Sequence, residues 1–134
     1  MSLRINDTIP DLMVETDGGK LSLHEYVGDS WTILFSHPKD FTPVCTTEFG
    51  VVAQLKGEWD KRGTKVIGIS VDSAEEHRNW KKDIEKVGGA KATFPIIADD
   101  HLVVSKAFDM LPAEAYLPDG RTPNHSATVR SVFI

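Results

Sequence analysis

Cysteine is the scarcest reactive residue in this chain: one, Cys45, among 134 residues. A single thiol excludes an intrachain disulfide framework, and it excludes CxxC redox or zinc motifs. Long apolar runs are missing as well. None approaches the ~20 residues of a membrane span, and the N-terminus carries no signal-peptide core. Excess basic charge is also lacking: 15 Lys and Arg stand against 20 Asp and Glu, for a formal net charge of -5. With the bases scattered among the acids, this argues against nucleic acid or an anionic membrane as partner. The expectation is a protein of a reducing compartment, the cytoplasm. Hydrophobic content of 40% and charged content of 26% suit one globular domain, residues 1–134, large enough to bury a core without staples.

Within that domain there is no internal repeat, low-complexity tract or linker. "DLMVETDGGKLSLHEY" holds two short strand-like pieces around Asp17-Gly18-Gly19, a hairpin signal. "WTILFS" (31–36) and "TKVIGISVD" (64–72) are branched, continuous apolar runs, as expected of strands covered on both faces. From Pro43 to about Arg62, the residues Phe49, Val52, Leu55 and Trp59 recur at helical spacing. Ser73 with Glu76 makes a capping box. Ala74, His77, Trp80, Ile84 and Val87 then form one helix face that Gly88-Gly89 ends. "FPIIAD" (94–99) is a third strand, "HLVVSKAFDM" (101–110) a short helix and "ATVRSVFI" (127–134) a last strand. Strands alternating with helices imply an α/β sheet with right-handed crossovers. The last strand is cut short at Ile134, so the domain is expected to be incomplete at its C-terminal end or to lean on a partner.

The lone cysteine sits where a helix begins. Thr42 is a good N-cap, and Pro43 stands at the position that best accepts proline. Cys45 is then the third helical residue, where a capping box places a carboxylate facing unpaired N–H groups and the positive end of the helix dipole. Such positions favour a thiolate and bring cysteine pKa values from ~8.5 to within ~3.5–7.5. A thiol moved from ~8.5 to ~6 gains roughly thirtyfold in thiolate at neutral pH. Falling nucleophilicity returns roughly tenfold of that. Fast chemistry therefore needs further groups that orient a reactant and hold developing charge. The candidates are the Thr42 hydroxyl, N–H groups of the Cys45 turn, and Arg130, which lies in a buried-looking strand and so needs an anionic neighbour. The competing reading makes Cys45 a small buried hydrophobe.

Pro38-Lys39-Asp40-Phe41-Thr42-Pro43-Val44-Cys45 fits the PxxxTxxC signature of peroxiredoxins, and "GDSW", "IGISVDS", "FPIIAD" and "ATVRSVFI" agree along the chain. The sequence most resembles the one-cysteine, Prx6-type subgroup, with a histidine just before the signature proline. The resemblance implies a thioredoxin-like fold, a central mixed β-sheet flanked by helices. It also implies thiol-dependent reduction of hydrogen peroxide and of alkyl or lipid hydroperoxides, with no cofactor and no metal. By the same resemblance Cys45 is the nucleophile, Thr42 orients peroxide and sulfur, and Pro38 shields the pocket. Arg130 stands beside the thiolate, His37 near the sulfur, and Glu48 helps hold the arginine. Lacking a second cysteine, the sulfenic acid formed at Cys45 depends on an external reductant such as glutathione or thioredoxin. Relatives continue past Ile134 with a region that forms a homodimer or higher homo-oligomer.

Several residues keep an ordinary alternative. His37 is otherwise a loop histidine bonded to backbone, and Glu48 plain helix-start charge. Trp80 reads as core, Lys81-Lys82 as solvated helix face, Asp99-Asp100 as a helix start and Arg121 as a surface turn. His24, His77, His101 and His125 lack metal-ligand spacing. Gly28-Asp29-Ser30-Trp31-Thr32 lacks the final glycine of a lipase elbow, which argues against phospholipase chemistry. The alternative function is a redox-sensing or chaperone-like interaction module in which Cys45 oxidises slowly. Thioredoxin-type exchange is weakened by the missing second cysteine.

Overall fold

The structure is a computed structural model that describes residues 3–111 and 128–134. The hairpin read around Asp17 is β1 (Met13–Thr16) and β2 (Gly19–Ser22). Its turn is closed by the Thr16 hydroxyl, which donates to the Gly19 carbonyl at 2.6 Å. A short helix, α1 (Leu23–Val27), leads to β3 (Trp31–Ser36). Next come α2 (Pro43–Gln54), α3 (Lys56–Lys61) and β4 (Thr64–Ser70). The chain continues through α4 (Ala74–Gly88), β5 (Ile96–Ala98), α5 (Val103–Ala107) and β6 (Val132–Phe133). The sheet runs β2-β1-β5-β4-β3-β6. Its centre, β5-β4-β3, is parallel, and the hairpin and β6 join antiparallel. This is the mixed sheet flanked by helices that the sequence implies.

Alternation along the strands divides the core in two, because neighbouring side chains leave a strand on opposite faces. Leu34, Ile67, Ile69 and Ile97 enter one cluster, with Leu23, Val104, Phe108 and Met110. Phe35 and Ile96 turn the other way, toward Cys45, Phe49, Trp80 and Ile84. That second side is where α2 and α4 pack. Their approach is close enough that a Cβ on Gly88 would stand 2.8 Å from the Gly50 Cα. A Cβ on Gly68 would likewise meet the Phe49 ring at 2.7 Å, so glycine in β4 is what lets Phe49 lie on the sheet.

Four expectations need correction. The run from Pro43 to Arg62 is two helices. Leu55 leaves helical geometry at ψ 12, and Gly57 just beyond it weakens continuation; Leu55 is exposed rather than on a core face. Val87 is 61% exposed, because the last turn of α4 presents Gly88, not Val87, to α2. Lys81 is no solvated charge: its ammonium is 2.5 Å from Asp17 and donates to the Phe94 carbonyl at 2.6 Å, tying α4 to the hairpin turn. The last strand is only Val132–Phe133, paired with Leu34 and Phe35. Arg130 therefore precedes it and is partly open to solvent, not enclosed within a strand. Ser73 does cap α4, its hydroxyl accepting from Glu76 N–H at 3.2 Å, while the Glu76 carboxylate meets that hydroxyl at 3.4 Å and not the Ser73 N–H of a full capping box. Asp99 does more than start a helix: its buried carboxylate accepts from Val104 and Ser105 N–H at 3.0 and 2.7 Å. Arg121, His125 and residue 127 lie outside the described residues.

Candidate active site

The loop after β3 makes the site. Phe41 has φ 64, a left-handed conformation that costs a non-glycine residue roughly 1–2 kcal/mol. It turns the chain so that Thr42, back in extended geometry, opens α2 with Pro43 at the first helical position. Cys45 is then the third helical residue, as the sequence indicates, and it is 1% exposed. The Thr42 hydroxyl does not cap the helix. It donates to the Lys39 carbonyl at 3.2 Å, closing the loop on itself. The Thr42 carbonyl instead accepts from Thr46 N–H at 2.9 Å and from the Thr46 hydroxyl at 2.7 Å. Pro38 lies half-buried in the same loop.

Arg130 reaches this turn from the far end of the chain. The segment before β6 is strapped to the end of β3: Ser36 N–H donates to Ser131 at 2.9 Å, and the Ser36 hydroxyl donates to Val129. The Thr128 hydroxyl donates to the His37 carbonyl at 2.6 Å. Held so, Arg130 Nη2 lies 3.5 Å from Cys45 Sγ, and Nη1 pairs with the Glu48 carboxylate. The guanidinium charge is favoured beyond its ordinary level: desolvation opposes it, but the hydrogen bond and charge of Cys45, then Glu48, outweigh that. Beside the pair runs an open trough of about 460 Å³, walled by Phe35, Phe49, Val51, Val52 and Val132, with Ser36, Thr47, Glu48 and Arg130 as its polar residues.

His37 is fully buried, so a loop histidine bonded to backbone is not what its ring shows. Nε2 stands 2.6 Å from Asp40 Oδ1, and the ring packs 4.7 Å from Phe49 and 4.6 Å from Trp80. Burial, partly offset by Asp40, pushes its pKa down. Trp80 is core and also bonded: its indole N–H donates to the Thr46 hydroxyl at 2.9 Å, linking α4 to the first turn of α2. His24, by contrast, is exposed and spends Nε2 on the Ile9 carbonyl at 2.7 Å.

Sequence reasoning assigned no role to Asp40, Ser70 or Asp72, and placed His77 only as core. The structure gathers them. Asp40 Oδ2 lies 2.5 Å from His77 Nδ1, Ser70 Oγ lies 3.1 Å from Asp40 Oδ1, and Asp40 N–H donates to Asp72 at 2.6 Å. The available signals were the His-x-x-Asp spacing of His37 and Asp40 and a histidine on the apolar face of α4.

The AhpC/TSA family model matches residues 5–134. A 1-Cys peroxiredoxin of Medicago truncatula is 49% identical over 125 residues, covering 92% of this chain and 57% of that protein. The mitochondrial peroxiredoxin PRX1 of Saccharomyces cerevisiae is 47% identical over 135 residues, covering 98% and 50%. Among solved structures, a mutant of peroxiredoxin 6 from Arenicola marina superposes with a TM-score of 0.87 at 38% identity, over 98% of this chain and 59% of that one. A yeast mitochondrial 1-Cys peroxiredoxin, solved to explain thiol resolution through glutathione and thioredoxin systems, gives 0.80 at 41%, covering 98% and 67%. The chain belongs to the AhpC/TSA family, its relatives are 1-Cys peroxiredoxins, and its fold is thioredoxin-like. It spans about half the length of the curated relatives it matches. Among the described residues, no helix is long and apolar enough to cross a membrane.

Proposed function

We propose that the chain carries the peroxidase site of a one-cysteine peroxiredoxin, in one domain over residues 1–134. The observation that carries this reading is Arg130 Nη2 at 3.5 Å from Cys45 Sγ, with the sulfur at the third position of α2. A cation and a helix N-terminus bear on one thiol that has no disulfide partner.

The thiolate attacks one peroxide oxygen in line. The O–O bond breaks, a proton goes to the departing oxygen, and water or an alcohol leaves while the sulfur, oxidised by two electrons, becomes a sulfenic acid. Arg130 holds the charge that grows on the leaving oxygen, and Glu48 holds Arg130. Thr42 orients the peroxide, Pro38 shields the sulfur, and His37 supports the pocket from within. The apolar trough suits the tail of an alkyl or lipid hydroperoxide. An external thiol then attacks the sulfenic sulfur, releasing water and forming a mixed disulfide that a second thiol reduces. Glutathione or thioredoxin is the expected class of reductant, the cytoplasm the compartment and a homodimer or larger homo-oligomer the assembly.

Competition for limiting hydrogen peroxide against a reporter peroxidase tests the reading. Consumption orders of magnitude above that of a free thiol, abolished in Cys45→Ser, is expected. Consumption at the pace of a free thiol would leave only the slow redox-sensing module.

A further inference from the structure

The buried cluster behind the site is built with fixed proton positions. His77 is fully buried, and both ring nitrogens face acceptors: Nε2 the Ile97 carbonyl at 2.9 Å, Nδ1 the Asp40 carboxyl at 2.5 Å. A carbonyl accepts only, so Nε2 carries a hydrogen. A proton must therefore lie between His77 Nδ1 and Asp40 Oδ2 as well. The other Asp40 oxygen takes Nε2 of His37 at 2.6 Å, which makes His37 the Nε2–H tautomer. Its Nδ1 is then a bare acceptor, and it has no hydrogen-bond partner among the described residues.

Asp40 is thus gripped through its side chain by His37, His77 and Ser70, and through its backbone N–H by Asp72. The next residue is Phe41, at φ 64. Strained backbone of this kind persists only where its surroundings over-determine it, and the grip on Asp40 supplies that constraint. Phe41 in turn sets the entry into α2, and with it Thr42 and Cys45. A second route runs through the rings: His37 stacks on Trp80, whose indole N–H holds the Thr46 hydroxyl in the Cys45 turn.

We infer that Asp40 and His77 are positioning residues for the reaction at Cys45: the proton held between them fixes the His37 tautomer and the left-handed turn at Phe41 from which the reactive helix starts. The inference rests on the peroxidase reading above, and its test has an arm that needs no turnover. The ring nitrogens of ¹⁵N-histidine protein are read by long-range ¹H–¹⁵N correlation in a chain with His24, His101 and His125 replaced by Gln, at neutral pH. Expected are one ring with a bare Nδ1, His37, and one with hydrogens at both nitrogens or a proton shared at Nδ1, His77. Asp40→Asn, which offers one acceptor where two are used, should move the signals of at least one of these rings. In parallel, peroxide consumption should fall between about ten- and a hundredfold in His77→Phe, the scale of a misplaced reacting group. His77→Asn, which returns an N–H donor near Nδ1, should recover part of the loss. A bare Nδ1 on His77, a hydrogen on Nδ1 of His37, or a His77→Phe rate within twofold of the parent would each overturn the inference. Should His77→Phe fail to fold, the unsubstituted rings still decide. A parent protein with these ring signals but no fast consumption would refute the peroxidase reading instead.

Discussion

Two polar clusters serve the helix that carries Cys45, and they are built in opposite ways. Asp40 with His77 and His37 is sealed, with side chains at most 1% exposed. Arg130 with Glu48 stands at the rim, with side chains 42% and 45% exposed. In the sealed cluster each contact is strong because water is excluded, and each donor left unpaired is costly for the same reason. At the rim, water replaces a lost partner and salt screens what remains. The difference suggests a division of labour: the interior fixes geometry through stability, while the rim supplies charge to the reaction with little effect on folding.

The largest effect should follow from breaking the interior. Asp40→Ala leaves two histidine rings and the Ser70 hydroxyl without their shared acceptor. Removing one partner of a buried charged pair costs about 3–5 kcal/mol, a large part of the ~5–15 kcal/mol that holds a domain together. Urea unfolding should show the midpoint collapse; a loss below about 1 kcal/mol would mean the cluster is not the anchor described. Arg130→Gln is the opposite case. It removes the cation 3.5 Å from Cys45 Sγ and should slow peroxide consumption by about 10²–10³, as for loss of one preorganised donor to developing charge. Its unfolding midpoint should stay near the parent's, and a comparable drop in stability would erase the division.

The interior should also be visible in the pH dependence of stability. Burial, against the opposing pull of Asp40, holds the His37 pKa below the ordinary value. Between that lowered pKa and about 6.5, the unfolded chain binds a proton that the folded one refuses, so stability rises with pH through this window and is lost below it. Asp40 adds a second loss at more acid pH. Burial raises its pKa, but the hydrogen bonds from His37 and His77 and their charges lower it further, so its contribution disappears as pH falls through the folded value. Asp72 has the opposite sign, since burial raises its pKa and its cost grows as pH climbs past the ordinary carboxylate value. The histidine part reaches about 1.4 kcal/mol per pH unit. His37→Gln should shrink the drop in urea midpoint between neutral and mildly acid pH, and an unchanged drop would remove His37 from the account.

Much of this was legible along the chain, for a reason that separates the two clusters again. Strands β3, β4 and β5 announce themselves as branched apolar runs, and the helix start at Thr42-Pro43 follows from local sterics alone, so Cys45 could be placed from its neighbours. The break at Leu55 and the exposure of Val87 were not legible, because helical spacing cannot tell which turns another helix will cover. The sealed cluster was hidden more deeply. Asp40, Ser70, Asp72 and His77 are ordinary polar residues in a linear reading, and only the crossing of β3, β4 and α4 brings them together. Arg130 was found by the right partners and the wrong burial: it lies near Cys45 and Glu48, yet ahead of the strand rather than inside it.

The smallest effect belongs to Glu48→Gln, and its smallness sharpens the comparison. Glu48 does two things to Arg130. It holds Nη1 and so aims the guanidinium, and it neutralises part of the charge offered to the sulfur. Substitution by Gln keeps a hydrogen-bonding oxygen near Nη1 while releasing that charge toward Cys45, so the two consequences oppose each other. The rate of peroxide consumption should therefore stay within about fivefold of the parent, and stability within about 1 kcal/mol, as for exposed ion pairs. Raising salt to about 1 M shortens the screening length to ~3 Å. That should blunt the parent's rate while leaving the stability lent by Asp40 and His77 in place. A Glu48→Gln loss as large as that of Arg130→Gln would show that the carboxylate's aim, not the guanidinium's charge, limits the rim.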